Sequence, residues 1–172
     1  FVWSDGEQEN PFAFANRQID SLGAAINRNS DKIVKAGTVK EILQAQKQNK
    51  IAALIGLEGG HQVENRLDYL DSLYTRGTRY ITLTWNNSNE WATSAFDSKR
   101  KPAFKGMGLS QSGKKAVQHM NDIGMLVDVS HVNEKTFWDV MAVTTKPIIA
   151  SHSSVYTLCP VPRNLKDDQI KA

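Results

Sequence analysis

Residues 51–61 read Ile51-Ala52-Ala53-Leu54-Ile55-Gly56-Leu57-Glu58-Gly59-Gly60-His61. The first seven are apolar or glycine without alternation, which suits a strand covered on both faces, as in a parallel sheet, and the run ends on an acid. Three further runs have the same character: residues 80–85, 125–130 and 147–151. Helical patterns separate them. Val63, Leu67, Leu70 and Tyr74 fall on one face and stop at Gly77; Ser110 opens a helix carrying Ala116, Val117, Met120 and Ile123 before Gly124; Asn133 opens another with Phe137, Val140 and Met141. Upstream, Asn10-Pro11 starts a helix through Ile19, Leu22 and Ile26, and Thr38 with Glu41 forms a capping box before Ile42 and Leu43. A last helix begins near Asp167. The order is two helices and then strand–helix four times, which predicts a parallel α/β sheet with right-handed crossovers. Residues 86–108 form a connection too long for an ordinary loop; with Trp91 and Phe96 in it, it reads either as a lid or wall or as a surface excursion with buried anchors.

The 172 residues contain 21 Lys and Arg against 18 Asp and Glu, a net charge of +3 and 40% apolar residues, as expected of a globular chain. The basic residues are scattered apart from Lys99-Arg100-Lys101 with Lys105, read as a solvated loop, so nucleic acid is excluded as a partner. A single cysteine, Cys159, rules out an intrachain disulfide framework. No apolar run reaches the roughly 20 residues of a membrane span, and no signal peptide is visible at Phe1-Val2-Trp3-Ser4-Asp5.

The ends of the strand runs carry the chemistry. Glu58 closes the first, His131 follows the third and His152 the fourth, at the sheet edge where parallel α/β proteins build their sites. Glu and His suit Zn²⁺ or a similar divalent ion, and a carboxylate can bridge two ions. A strand-end histidine alone is more often a hydrogen-bonded rim residue; two at equivalent strand ends, with an acid at a third, favour a metal site. His119 lies in a helical pattern and reads as surface. His61, three residues past Glu58, is a candidate for supporting the ligands. Ser151-His152-Ser153-Ser154 lacks the glycine-flanked elbow of a serine nucleophile.

Gly56-Leu57-Glu58-Gly59-Gly60-His61, Arg79-Tyr80-Ile81-Thr82-Leu83-Thr84, Val127-Asp128-Val129-Ser130-His131-Val132, Ser151-His152-Ser153-Ser154-Val155-Tyr156 and Arg163-Asn164 together resemble the membrane (renal) dipeptidase family of zinc dipeptidases. The resemblance implies a (β/α)₈ TIM-type barrel of the metal-dependent hydrolase kind, with two zinc ions, that hydrolyses dipeptides and often tolerates a D-residue at the C-terminal position. It makes Glu58 the carboxylate bridging the zincs, His131 and His152 the imidazole ligands of the second zinc, and Arg163 the group that binds the substrate's terminal carboxylate. Trp85 stands where the family has a histidine near the scissile carbonyl. Glu58, Trp85 and Asn86 are therefore the candidate catalytic residues, with oxyanion stabilisation shifted to a neighbour such as Asn86 or Asn87.

The family's His-x-Asp pair, which completes the first zinc site, does not occur in this sequence. A whole barrel takes about 250 residues. The expectation is one incomplete barrel domain over residues 1–172, about strands two to six, from a longer dipeptidase whose isolated middle is inactive or nearly so. A non-catalytic small-ligand-binding relative and another metal-dependent amide hydrolase are the alternatives. The expected partner is a dipeptide, a homodimer is one assembly the resemblance allows, and secreted, periplasmic and cytoplasmic locations all stay open.

Overall fold

The computed structural model describes residues 2–3, 7 and 9–172; Phe1, Ser4, Asp5, Gly6 and Gln8 lie outside the described residues. Its centre is a parallel sheet ordered β1 (Val2–Trp3), β4 (Ile55–Glu58), β5 (Thr78–Thr82) and β6 (Leu126–Asp128). Ile149 adds a fifth position beside β6, donating to the Val127 carbonyl and accepting from Val129 N–H, both at 2.9 Å. These five positions correspond to the expected strands two to six. The register aligns Trp3 with Glu58, Glu58 with Thr82, and Thr82 with Asp128. One row across the C-terminal edge therefore holds two buried acids, Glu58 and Asp128.

The first apolar run is not one strand. β3 (Ile51–Ala53) pairs with β2 (Ile33–Lys35) in a separate two-stranded parallel sheet, and the chain passes to the central sheet after Leu54. Exposure shows the change of environment, from 65% at Ile51 to 2% at Ile55. The second run pairs earlier than expected, over β5. The fourth provides only the Ile149 bridge, because Pro147 lacks a donor and Ile149 meets a single neighbour among the described strands.

The helices follow their caps. In α2 (Val39–Lys47) the Thr38 hydroxyl accepts from Glu41 N–H, while the Glu41 carboxylate takes Gly37 N–H at 2.8 Å. α5 (Gln111–Ile123) has Ser110 accepting from Gly113 N–H and buries Ala116, Val117 and Met120; α6 (Glu134–Met141) has Asn133 accepting from Thr136 N–H and buries Phe137 and Val140. α1 (Pro11–Arg28) starts where expected, but Asn10 lies in the left-handed region without a side-chain cap. α3 (Leu67–Thr75) is shorter than its pattern. Val63 belongs to a preceding 3₁₀ turn, positive φ at Glu64 and Asn65 breaks the helix there, and Leu70 with Leu73 forms the buried face. α7 (Asp167–Lys171) is the last helix.

Residues 86–108 are not a structureless loop. They contain α4 (Ala95–Arg100) and a 3₁₀ turn at Pro102–Phe104, and Lys99 and Arg100 sit in that helix instead of a loop. Trp91 is buried and Phe96 is exposed. Both readings hold in part: Trp91 is a buried anchor, while Asn86, Ala95 and Phe96 wall the cavity beside His131.

Gly56 faces Tyr80 across the β4–β5 register, where an added Cβ would stand 2.0 Å from the phenol ring. Gly56→Ala forces that ring to move. It is expected to destabilise the fold by about 1–3 kcal/mol, read as a lower urea midpoint.

Candidate metal centre

Each of the three candidate ligands is delivered by a strand end and a turn. Gly59, with φ 99°, turns the chain directly after Glu58 in a conformation open to glycine, and its N–H bonds the Thr82 carbonyl at 3.1 Å. Gln62, fully buried, donates to the carbonyls of Glu58 and Val2 and so fixes β4 to β1 behind the acid. His131 holds a left-handed backbone with φ 66°, a strained geometry for a non-glycine residue. The wall keeps it there: Ala95 N–H donates to the His131 carbonyl at 2.8 Å, Asn133 N–H to the Thr93 carbonyl at 3.0 Å, and Ser94 bridges Val132.

The result is a tight convergence. Glu58 Oε1 lies 3.0 Å from His131 Nε2 and 2.9 Å from His152 Nε2, and the ligand-type atoms of the three residues all fall within 4.8 Å of one another. Glu58 and His131 are buried and His152 is half-buried. Burial pushes the Glu58 carboxyl up, but the His131 hydrogen bond and the charges of both imidazoles outweigh it, so the group sits below its ordinary value. Arg163 also reaches the cluster. Its Nη1 is 3.1 Å from His131 Nε2, and its Nη2 donates to the His152 carbonyl at 3.0 Å. One ring nitrogen thus faces a carboxylate that wants a proton and a guanidinium that wants a lone pair. A cation among the three donors would take the Nε2 lone pair in place of a proton and turn Arg163 Nη1 away from that nitrogen, and an acid with two imidazoles is a donor set suited to a divalent ion.

Trp85 is half-buried and packs edge-on against Trp3, with ring centroids 5.0 Å apart. Asn86 lines a cavity of about 270 Å³ together with Phe96, His131 and Arg163, and its carbonyl accepts from Ser94 Oγ. His119 lies on α5 and pairs with Asp71 at 2.8 Å, as its surface reading implies. His61 lies in the 3₁₀ turn and is not among the three converging ligands.

Asp128 carries no role that its sequence position alone announces. Its fully buried carboxylate accepts Ser130 N–H at 3.1 Å and Ser151 N–H at 3.0 Å on Oδ1, and the hydroxyls of Thr82 and Ser151, both at 2.6 Å, on Oδ2. A charge inside an apolar run was the available signal, since a buried acid requires such partners.

A parallel α/β sheet with an acid and two imidazoles gathered at its C-terminal edge has the form of a barrel metallohydrolase. The chain belongs to the membrane dipeptidase family (peptidase family M19), which matches residues 1–172. It is 41% identical over 152 residues to dipeptidase verJ of Clonostachys rogersoniana, a match covering 88% of this chain and 38% of that protein. Among solved structures it resembles an amidohydrolase from Pseudomonas aeruginosa, with TM-score 0.86 and 28% identity over 93% of this chain and 47% of the other. It also shares the fold of a metallopeptidase from Rhodobacter sphaeroides liganded with a phosphinate mimic of L-Ala-D-Ala, with TM-score 0.85 and 24% identity over 98% of this chain and 48% of that one. The chain spans less than half the length of these relatives, and its sheet is part of a (β/α)₈ barrel. No helix among the described residues is long and apolar enough to cross a membrane.

Two measurements probe the site and its wall. A divalent ion at 100 times its dissociation constant is expected to add about 2.7 kcal/mol to the unfolding free energy, and Glu58→Gln is expected to remove that increment in thermal melts. In the wall, the Asp97 carboxylate accepts Ser88 N–H at 2.7 Å and pairs with Lys101 at 2.9 Å. Burial raises its pKa, but these partners win and hold it below the ordinary 3.8. Its stabilisation is therefore complete above that value and is lost as pH falls below it toward the folded-state value. Asp97→Asn is expected to cost about 1–3 kcal/mol at neutral pH and to flatten the acid limb of the stability curve.

Proposed function

We propose that residues 1–172 are a single incomplete barrel domain forming the central part of a zinc-dependent dipeptidase. Glu58, His131 and His152 hold metal, and Arg163 receives the terminal carboxylate of the substrate. The convergence of Glu58 Oε1 with the two Nε2 atoms carries this reading. Zinc fits the donor set: borderline imidazoles plus a carboxylate whose second oxygen can reach a second ion. Bound there, it would polarise the scissile carbonyl and supply an activated water. The chain's own residues do the rest. Glu58 and the imidazoles fix the ion's position, and the buried setting strengthens their electrostatic pull. Arg163, half-buried beside His131, offers a planar fork that matches a carboxylate and orients a dipeptide across the cavity shared with Asn86. Asn86 is the candidate for steadying the developing oxyanion, with Asn87 beside it. Trp85 closes the site edge through its contact with Trp3.

The test uses the longest natural polypeptide carrying this chain. It is expected to hydrolyse L-Ala-D-Ala and L-Ala-L-Ala, to lose activity to a chelator and to regain it with Zn²⁺. Arg163→Lys keeps the charge but loses the fork; it is expected to lower kcat/KM by at least about 2 kcal/mol equivalent, chiefly through KM. A second reading, favoured by Trp85 in place of the family histidine, is a non-catalytic relative that binds dipeptides. Tight metal-dependent binding without turnover in the same assay selects it.

A further inference from the structure

Ser151 Oγ stands between two close groups, 2.6 Å from Asp128 Oδ2 and 2.7 Å from His152 Nδ1, with the Ser130 hydroxyl further off at 3.5 Å. A hydroxyl has one proton to give. All four atoms around the Asp128 carboxylate carry hydrogens: two backbone amides, which can only donate, and the hydroxyls of Thr82 and Ser151. The carboxylate takes the Ser151 proton, so the hydroxyl turns its lone pair to His152, and Nδ1 must carry a hydrogen to meet it. The other ring nitrogen, Nε2, is then the one with a lone pair; it lies 2.9 Å from Glu58 Oε1, so two acceptors face each other there and a cation between them would join them.

We propose that Asp128 and Ser151 form a proton-ordering relay that holds His152 as its Nδ1–H tautomer and aims the Nε2 lone pair at the metal. This rests on His152 being a ligand. Ser151 and Asp128 are positioning residues, since they act on the ion through His152. The same carboxylate bonds Thr82 at the end of β5 and Ser130 just before His131, so the strand ends that carry the ligands are spaced by the group that orders the proton. The Ser130 hydroxyl completes the arrangement by accepting His152 N–H at 3.1 Å.

Substitution at Asp128 gives the relay a directional signature. In Asp128→Asn, the amide oxygen must stay toward the two backbone N–H groups. The NH₂ then faces Thr82 and Ser151 and donates where the carboxylate accepted. The Ser151 proton is released toward His152 Nδ1, which favours the Nε2–H tautomer and places a hydrogen where the ion binds. Ser151→Ala removes the ordering without reversing it. Ser151→Thr keeps the hydroxyl at an exposed position.

The experiment reads two quantities in the longest natural polypeptide carrying this chain. The tautomer of His152 is read by ¹⁵N NMR of labelled histidine in the metal-free protein carrying Glu58→Ala, because the Glu58 carboxylate 2.9 Å from Nε2 otherwise draws a proton there, and the Zn²⁺ affinity is read by competition with a chromophoric chelator in the protein with Glu58 intact. The expected result is Nδ1–H in the parent and in Ser151→Thr, mixed tautomers in Ser151→Ala, and Nε2–H in Asp128→Asn. Affinity is expected to fall about 10- to 100-fold in the last two and to hold in Ser151→Thr. Asp128→Asn variants that melt well below the parent are set aside in favour of Ser151→Ala, whose substitution is at an exposed site. An Nε2–H parent, or parental affinity in Ser151→Ala while His152→Ala loses zinc, overturns the relay. Parental affinity in His152→Ala overturns instead the assignment of His152 as a ligand, and the relay's purpose with it.

Discussion

The buried carboxylate of Asp128 is the constraint on which the sheet edge depends. A charge taken wholly out of water is tolerated when its lone pairs are filled, and here four donors fill them from three separate places: the end of β5, the turn before His131, and the segment at Ser151. Backbone pairing ends with β6 and a single bridge at Ile149, so it does little to fix where residues 150–152 lie. The acid does that work with side-chain and amide bonds. Because it does, His131 and His152 both come to Glu58 Oε1 at nearly equal distances.

Around that edge the wall of residues 86–108 fixes what the sheet leaves loose. It accepts and donates backbone bonds to the segment around His131, and it holds that histidine in a left-handed conformation that costs energy by itself. The strain is local and the compensation is distributed among Thr93, Ser94 and Ala95. Such an arrangement suits a ligand that must project inward from a sharp turn, where an extended backbone would carry the ring past its neighbours.

Much of this was legible in the residues because polar groups interrupt apolar runs at the strand ends. Glu58, His131 and His152 stand out for that reason, and the caps at Thr38, Ser110 and Asn133 announce their helices through side-chain oxygens at the right spacing. The change of sheet at Leu54 was not legible, since residues 51–57 are uniformly apolar and a run of that kind does not say which neighbour each half pairs with. The α3 boundary failed for a related reason: Val63 fits the helical period, but the left-handed residues Glu64 and Asn65 interrupt it, and neither is a glycine. Asp128 was visible as a letter and silent as a function, because its four partners come from positions that only the parallel register assembles.

The distances along the chain between those partners have a consequence for how the site comes into being. Glu58 and His131 are 73 residues apart, Thr82 and Asp128 are 46 apart, and Asp128 and Ser151 are 23 apart. The two imidazoles meet across a single crossover, but Glu58 joins them only after three, so the loop-closure entropy of all three is spent before the full donor set is assembled. The complete donor set is therefore a late acquisition of folding, available in full only once β4 and β6 have taken their places in the finished sheet edge.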